Sequence, residues 1–342
     1  MAKKHINIPI FIPHLGCPNQ CVFCNQRTIS GVKSFDANTV IPIIEDALET
    51  KLENQSVEIA FFGGSFTGID QDLMESLLGI ANGYLKQGRI QSIRCSTRPD
   101  YINKEKLNTL IKYGVGTVEL GLQSSCDAVL HKAKRGHGAE AEIEACRLIK
   151  ESGLRLGGQM MIGLPGSTRE SDILTAHFMA DAGCDEARIY PTLVFKDTEL
   201  ADMLSLGEYE PLPLDEAIER AADALEVLVA RGVKILRIGL CDSENLHSSE
   251  TYVAGPNHPA IGELVEGEYY YRQISRLLSE ICIDNAEAVA LTVPNGCTSK
   301  IIGQNKKNKL RLMQEYGIRR LKIKESKNVA DYSISLEVEG RK

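Results

Sequence analysis

No stretch of this 342-residue chain approaches the ~18 consecutive apolar residues that a helix needs to cross a bilayer. The opening MAKKHINIPIFIPHLGC carries two lysines, but Asn7, Pro9, Pro13 and His14 interrupt its apolar run, which makes a poor secretory signal. These two shortages lead to the expectation of a cytoplasmic protein with no membrane attachment. In a reducing compartment ten cysteines are not a disulfide framework, and clustered ones there bind metal or do redox chemistry. Three of them, Cys17, Cys21 and Cys24, crowd into HLGCPNQCVFCNQR at 14–27 with no fourth cysteine beside them.

The length exceeds that of a small domain but suits a (β/α) barrel, so one large domain plus an appendage is expected. Short apolar runs read as strands: INIPIFI at 6–12, VEIAFFGG at 57–64, IRCSTRPD at 93–100, TVELGLQS at 117–124, RLGGQMMIGLPG at 155–166, EARIYPTLVF at 186–195 and VKILRIGL at 233–240. Helix-like segments lie between them, among them 36–53, 70–88, 103–114 and 140–153. Gly88, Gly114 and Gly153 each sit just past a periodic segment, where a helix end accepts positive φ. The repeated βα order predicts an α/β fold whose parallel sheet curls into a partial barrel. In such a barrel the chemistry sits at the C-terminal ends of the strands, and the cysteine loop follows the first strand.

Three thiolates spaced C-x3-C-x2-C suit several metals. A structural zinc site is normally closed by a fourth ligand, for which His14 is the local candidate. Thiolates also suit iron–sulfur clusters, and a cubane held by three cysteines leaves one iron open to a substrate or cofactor. Three buried structural cysteines are the remaining reading.

The cysteine spacing, with the aromatic Phe23 before the last cysteine, resembles the radical S-adenosylmethionine (SAM) superfamily. The resemblance implies a TIM-like partial barrel in which Cys17, Cys21 and Cys24 hold a [4Fe-4S] cluster. In that family the open iron binds SAM, and one electron, delivered to the cluster by an external donor such as a flavodoxin or ferredoxin, cleaves it to a 5′-deoxyadenosyl radical. FFGGSFTG at 61–68 is similar to the family's glycine-ended second strand, which implies SAM contacts from Gly63, Gly64 and Ser65. Ser65 stands where many relatives carry glutamate or threonine. GLQSSCDAVLHKAKRGH at 121–137 implies that Gln123 meets the ribose and that Arg135 grips the SAM carboxylate with its planar fork. QMMIGLPGST at 159–168 resembles the adenine-contacting strand, with Ile162 and Gly163 as an apolar wall. Of Met160 and Met161, at least one is expected in the core.

Within the superfamily, TRPD at 97–100, RGH at 135–137 and YPTLVF at 190–195 resemble, in that order, the radical SAM domain of the Elongator catalytic subunit, whose family begins wobble-uridine modification in tRNA. The resemblance runs from about residue 8 to about 240. Oxygen-independent coproporphyrinogen III oxidase is similar at a greater distance, which leaves a tetrapyrrole or small-metabolite substrate as the alternative. The Elongator family also carries an acetyltransferase domain, and nothing in the last 100 residues resembles one. The resemblance therefore implies either a separate acyl-transfer partner or different radical chemistry.

The expected division is a core at 1–240 and a substrate-facing region at 241–342. The polar, aromatic stretch 239–273 suits a cover over the barrel mouth. Cys241, His247 and His258 are candidates to face substrate, Cys241 as a hydrogen-atom donor, and one or two of Tyr269, Tyr270 and Tyr271 could stack a planar base. A second cluster from Cys241, Cys282 and Cys297 lacks any C-x2-C pair. A strand at 288–294, a helix at 299–317 and strands at 319–325 and 332–338 read as a small α/β appendage. Residues 300–327 hold ten lysines and arginines against Glu315 and Glu325, in a chain whose net charge is −7. Such a reversal suits RNA phosphates.

Overall fold

The computed structural model describes residues 4–12, 15–17, 21–26, 34–52, 55–240, 248, 250–281 and 288–340. The alternation in the first strand, β1 (Lys4–Ile12), decides which side of the sheet becomes the core. Ile8, Ile10 and Ile12 are buried against the outer helices, whereas His5, Asn7, Pro9 and Phe11 point into the concave interior. Parallel to it follow β2 (Gln55–Gly63), β3 (Ser92–Thr97), β4 (Thr117–Gln123), β5 (Arg155–Ile162) and β6 (Glu186–Pro191). A two-residue strand, β7 (Val194–Phe195), precedes β8 (Lys234–Ile238). The large sheet has the order β1-β2-β3-β4-β5-β6-β8, so its spatial order is its chain order. It curls into the expected half-barrel.

The helices that follow are α1 (Val40–Glu49), α2 (Gln71–Lys86), α3 (Lys104–Lys112), α4 (Asp127–Lys132), α5 (Ala139–Glu151), α6 (Arg169–Asp181), α7 (Glu199–Ser205) and α8 (Leu214–Ala230); the long ones cover the outer face, whereas Leu200 of the short α7 packs with Val22 of the cysteine loop. Side chains start several of them: Asp70 caps α2, Asn103 caps α3, and Thr168 forms a capping box with Ser171 on α6. Gly88, Gly114 and Gly153 all have positive φ, as their positions predict.

Within the stretch expected to cover the barrel mouth, Leu240 lines the cavity, but residues 261–279 lie elsewhere. β9 (Tyr252–Ala254) pairs with β7, but residues Ile261–Ser279 form the 19-residue helix α9, which packs on α8 outside the barrel. Tyr269, Tyr270 and Tyr271 are all buried. Their hydroxyls meet the Tyr332 carbonyl, the Cys297 sulfur and the Glu315 carboxylate, respectively. The three therefore build the appendage core and are not placed to stack a base. His258 is half-buried, its Nδ1 accepting from the Ala260 amide at 3.1 Å.

In the appendage β10 (Ala288–Pro294) lies between a parallel β11 (Leu321–Ser326) and an antiparallel β12 (Ser335–Glu339). The helix expected at 299–317 breaks into α10 (Thr298–Ile302) and α11 (Lys307–Glu315). Gly303, Asn305 and Lys306 all have positive φ at the break. Cys297 is buried beside Tyr270, while Cys241, His247, Cys282 and His14 lie outside the described residues.

Candidate active site

The half-barrel encloses a cavity of about 1040 Å³, and Cys17, Cys21 and Cys24 all line it. The cysteine loop leaves the end of β1 and is held by backbone packing against the end of β2. The Ser65 amide donates to the Leu15 carbonyl at 3.0 Å. A Cβ on Gly64 would lie 2.1 Å from the Leu15 oxygen, and one on Gly16 would lie 2.2 Å from the Ser65 oxygen. Only glycine lets the two backbones approach this closely. Gly63 and Gly64 thus line the cavity and also seat the cysteine loop. Farther along, Val22 bonds to Ala133 and Leu200, which joins the loop to the segments after β4 and β7. Phe23 also lines the cavity.

Two buried arginines reach the middle cysteine. Arg135 donates from Nη1 to the Cys21 sulfur at 3.2 Å, and Arg98 approaches the same sulfur at 3.9 Å. Arg98 is held by Asp100 at 2.8 Å and donates to the Arg135 carbonyl. Burial raises the Cys17 thiol above its ordinary range. It pushes Cys24 up to about 12, helped by the two neighbouring cysteines. Metal ligation at these sulfurs therefore displaces protons. Among the described residues no three ligating groups are close enough to hold one ion.

Gln123 ends β4 with φ +71, beyond a register shift between Gly121 and Gln123. A strained backbone of this kind gathers at functional sites. Its Oε1 is buried and has no partner among the described residues, and the same holds for Arg135 Nε. The Arg135 fork is engaged within the protein, because Nη1 meets Cys21 and Nη2 donates to the Gly121 carbonyl. Its Nε is the atom left for a ligand. A soft three-sulfur donor set, a glycine-lined wall and two orphaned buried polar groups fit a cluster with a polar cofactor beside it.

Other expected contacts fall elsewhere. The Ser65 hydroxyl is fully buried, 2.8 Å from the Thr97 hydroxyl, in a network that also includes Thr67. Ile162 faces the helices with Met160, and the Gly163 carbonyl accepts from Tyr209 at 2.8 Å. Alternation on β5 instead turns Gln159 and Met161 into the cavity. Cys241 lies outside the described residues.

The cavity floor is an ionic layer that the sequence reading missed. Arg94 pairs with Glu58 at 2.5 Å, Glu186 at 2.6 Å and Glu119 at 3.0 Å, all of them buried. His5 and Arg155 complete Glu58 and Glu186. Arg188 donates to Glu119 at 2.8 Å and lies over the Phe62 ring, 5.6 Å from its centroid. On strands read as apolar runs, these charges occupy the inward-facing parity.

The profile of the Radical SAM superfamily matches residues 11–179, and that of the Radical SAM C-terminal domain matches 184–271. The chain belongs to the radical SAM superfamily of enzymes. Its relatives include the tRNA uridine(34) acetyltransferase of Methanocaldococcus jannaschii, 33% identical over 192 residues that cover 50% of this chain and 36% of that protein. Human Elongator complex protein 3 is 28% identical over 202 residues, covering 53% and 37%. An uncharacterized protein of M. jannaschii is 30% identical over 242 residues, covering 66% and 73%. The chain thus spans about a third of the length of the first two relatives. Among solved structures, the archaeal Methanocaldococcus infernus Elp3 with an N-terminal deletion shares the fold at a TM-score of 0.64. It is 24% identical, and the match covers 83% of this chain and 65% of that one.

Proposed function

We propose that this protein cleaves SAM reductively at a [4Fe-4S] cluster held by Cys17, Cys21 and Cys24 and uses the resulting radical in tRNA modification. The observation that carries the reading is the three cysteines on one cavity wall with Arg135 on the central sulfur and the orphaned Gln123 Oε1 close by. When bound, the cluster supplies one electron to the SAM sulfonium, releasing methionine and a 5′-deoxyadenosyl radical.

The chain's own residues bind, orient and shield. Gly63 and Gly64 offer backbone to the methionine end, and Gln123 Oε1 accepts from a ribose hydroxyl. Arg135 Nε reaches an acceptor beside the cluster while its two Nη groups hold Cys21 and β4 in register. Met161 and Phe23 keep water from the reacting region. The electron comes from an external donor of the flavodoxin or ferredoxin kind.

RNA as substrate is supported by the relatives named for tRNA uridine(34) and by the appendage. Lys306, Lys307, Lys309, Arg319, Arg320, Lys324 and Lys327 have no carboxylate partner among the described residues, whereas Lys300, Arg311 and Lys322 are paired. The test is anaerobic reconstitution, reduction with SAM and chromatographic detection of 5′-deoxyadenosine, with and without tRNA. Turnover stimulated by tRNA is expected. Turnover indifferent to tRNA would move the substrate to small molecules, and none from an intact four-iron cluster would end the enzymatic reading.

A further inference from the structure

The register between β6 and β8 slips by one residue. Glu186 pairs with Lys234 and Ala187 with Ile235, but Arg188 faces Arg237, which makes Leu236 the extra residue of a bulge. Without the bulge, Leu236 would stand beside Arg188, and Arg237 would pair with Ile189 on the helix-facing side. With it, Arg188 and Arg237 both line the cavity. Bulges beside active sites re-aim side chains in this way.

Like charges abreast on neighbouring strands repel each other. Among the described residues Arg188 meets one carboxylate, Glu119, and shares it with Arg94. Glu58 and Glu186 are engaged by Arg94, His5 and Arg155. Arg237 is exposed and has no carboxylate partner among the described residues. Leu193, Phe195 and Leu240 line the same cavity and add apolar surface. A planar guanidinium pair beside an apolar wall matches a phosphate with its attached sugar and base. Because β8 ends the sheet, the pair stands at the barrel's open edge, where a polymer need not enter whole.

We propose that Arg188 and Arg237 form a phosphate-binding subsite for a nucleotide substrate on the β6–β8 wall. The inference rests on the tRNA reading for a polynucleotide source of that phosphate; a small nucleotide offers the same chemistry.

The test uses the reconstituted 342-residue chain with two labelled probes, a short uridine-rich RNA and uridine monophosphate, and follows fluorescence anisotropy against salt. Arg237 is the position to vary, because Arg188 also supports Glu119. Arg237→Gln should weaken binding about tenfold, close to 1.4 kcal/mol, and Arg237→Glu more. In Arg237→Gln the RNA salt dependence should flatten by about one phosphate contact, whereas Arg237→Lys, which keeps the charge, should retain most of the affinity and the wild-type salt dependence. Arg231→Gln, whose guanidinium pairs with Asp181 on the outer surface, is the control expected to bind as wild type. Weakening for RNA alone assigns the phosphate to a polynucleotide, and weakening for both probes shows that a mononucleotide suffices. Unchanged binding in a folded Arg237→Gln, or no binding of either probe by the wild type, overturns the subsite. If tRNA stimulates SAM cleavage while the variants bind normally, the subsite fails and the tRNA reading stands. Lost monophosphate binding in a protein that tRNA does not stimulate is the reverse case.

Discussion

Arg135 joins two parts of the site with one guanidinium, its Nη1 on the Cys21 sulfur at 3.2 Å and its Nη2 on the Gly121 carbonyl. The central cysteine is thereby fixed to the end of β4, next to the strained Gln123. Partners of this kind are worth about 10–100-fold in metal affinity or activity. Arg135→Ala should lower 5′-deoxyadenosine formation by that factor, with cluster absorbance retained after reconstitution. Alanine at Cys17, Cys21 or Cys24 should abolish both. Full cleavage in any of the three cysteine variants would remove that sulfur from the ligand set.

The glycine contact between β1 and β2 makes a separate prediction. Gly64→Ala sets a Cβ 2.1 Å from the Leu15 oxygen, so the backbone holding the cysteine loop must shift. Strain of this order costs about 1–3 kcal/mol. The variant should fold with a lowered melting temperature and retain less iron per chain. Wild-type iron content would show that the loop is seated some other way.

Arg94 bridges three carboxylates in a layer from which water is nearly excluded. Arg94→Met leaves Glu58, Glu119 and Glu186 facing one another, with His5, Arg155 and Arg188 only at their margins. Removing one partner from a buried ion pair costs about 3–5 kcal/mol, and a urea titration should show a loss of that size. A loss under 1 kcal/mol would mean that the layer relaxes or takes in water.

His137 and Glu142 lie 3.9 Å apart, both with buried side chains. Burial pushes the Glu142 carboxyl up to about 9 and lowers the His137 imidazole to about 4, with Arg135 adding to the latter shift. Folding therefore favours a protonated Glu142, and that preference is lost as pH rises from about 4.5 toward 9. His137 is held neutral, so its contribution is lost as pH falls from about 6.5 toward 4. Glu142→Gln should gain stability over wild type progressively on the alkaline side, and His137→Gln on the acid side. Urea midpoints across pH check both, and parallel curves for wild type and variants would rule the assignment out.

Much of the barrel is readable from periodicity. The isoleucines of INIPIFI alternate with side chains that enter the cavity, and the βα order gives the sheet order without further information. The cysteine loop is equally plain because thiols this dense are a redox liability without a metal. Parity alone would have selected Met161 over Ile162, since inward residues on β5 fall on odd numbers. Arg98 stood within TRPD and reaches Cys21 only because β3 ends there. Arg237 could not be read in advance, because its side depends on one extra residue in β8. The break between α10 and α11 had a local signal, Gly303 followed by Asn305, which the apolar spacing obscured.

A sheet whose spatial order is its chain order has a history on the ribosome. Each strand can dock on the one before it as the N-terminal part folds ahead of the rest, at about 5–20 residues per second. The cysteine loop emerges early, but the glycines that seat it come with β2, and Arg135 follows only after β4. For several seconds the nascent chain carries three accessible thiols and no pocket around them. If the three cysteines hold iron, its delivery would follow translation of at least the first four strands, and oxidative damage during synthesis would fall first on Cys17, Cys21 and Cys24.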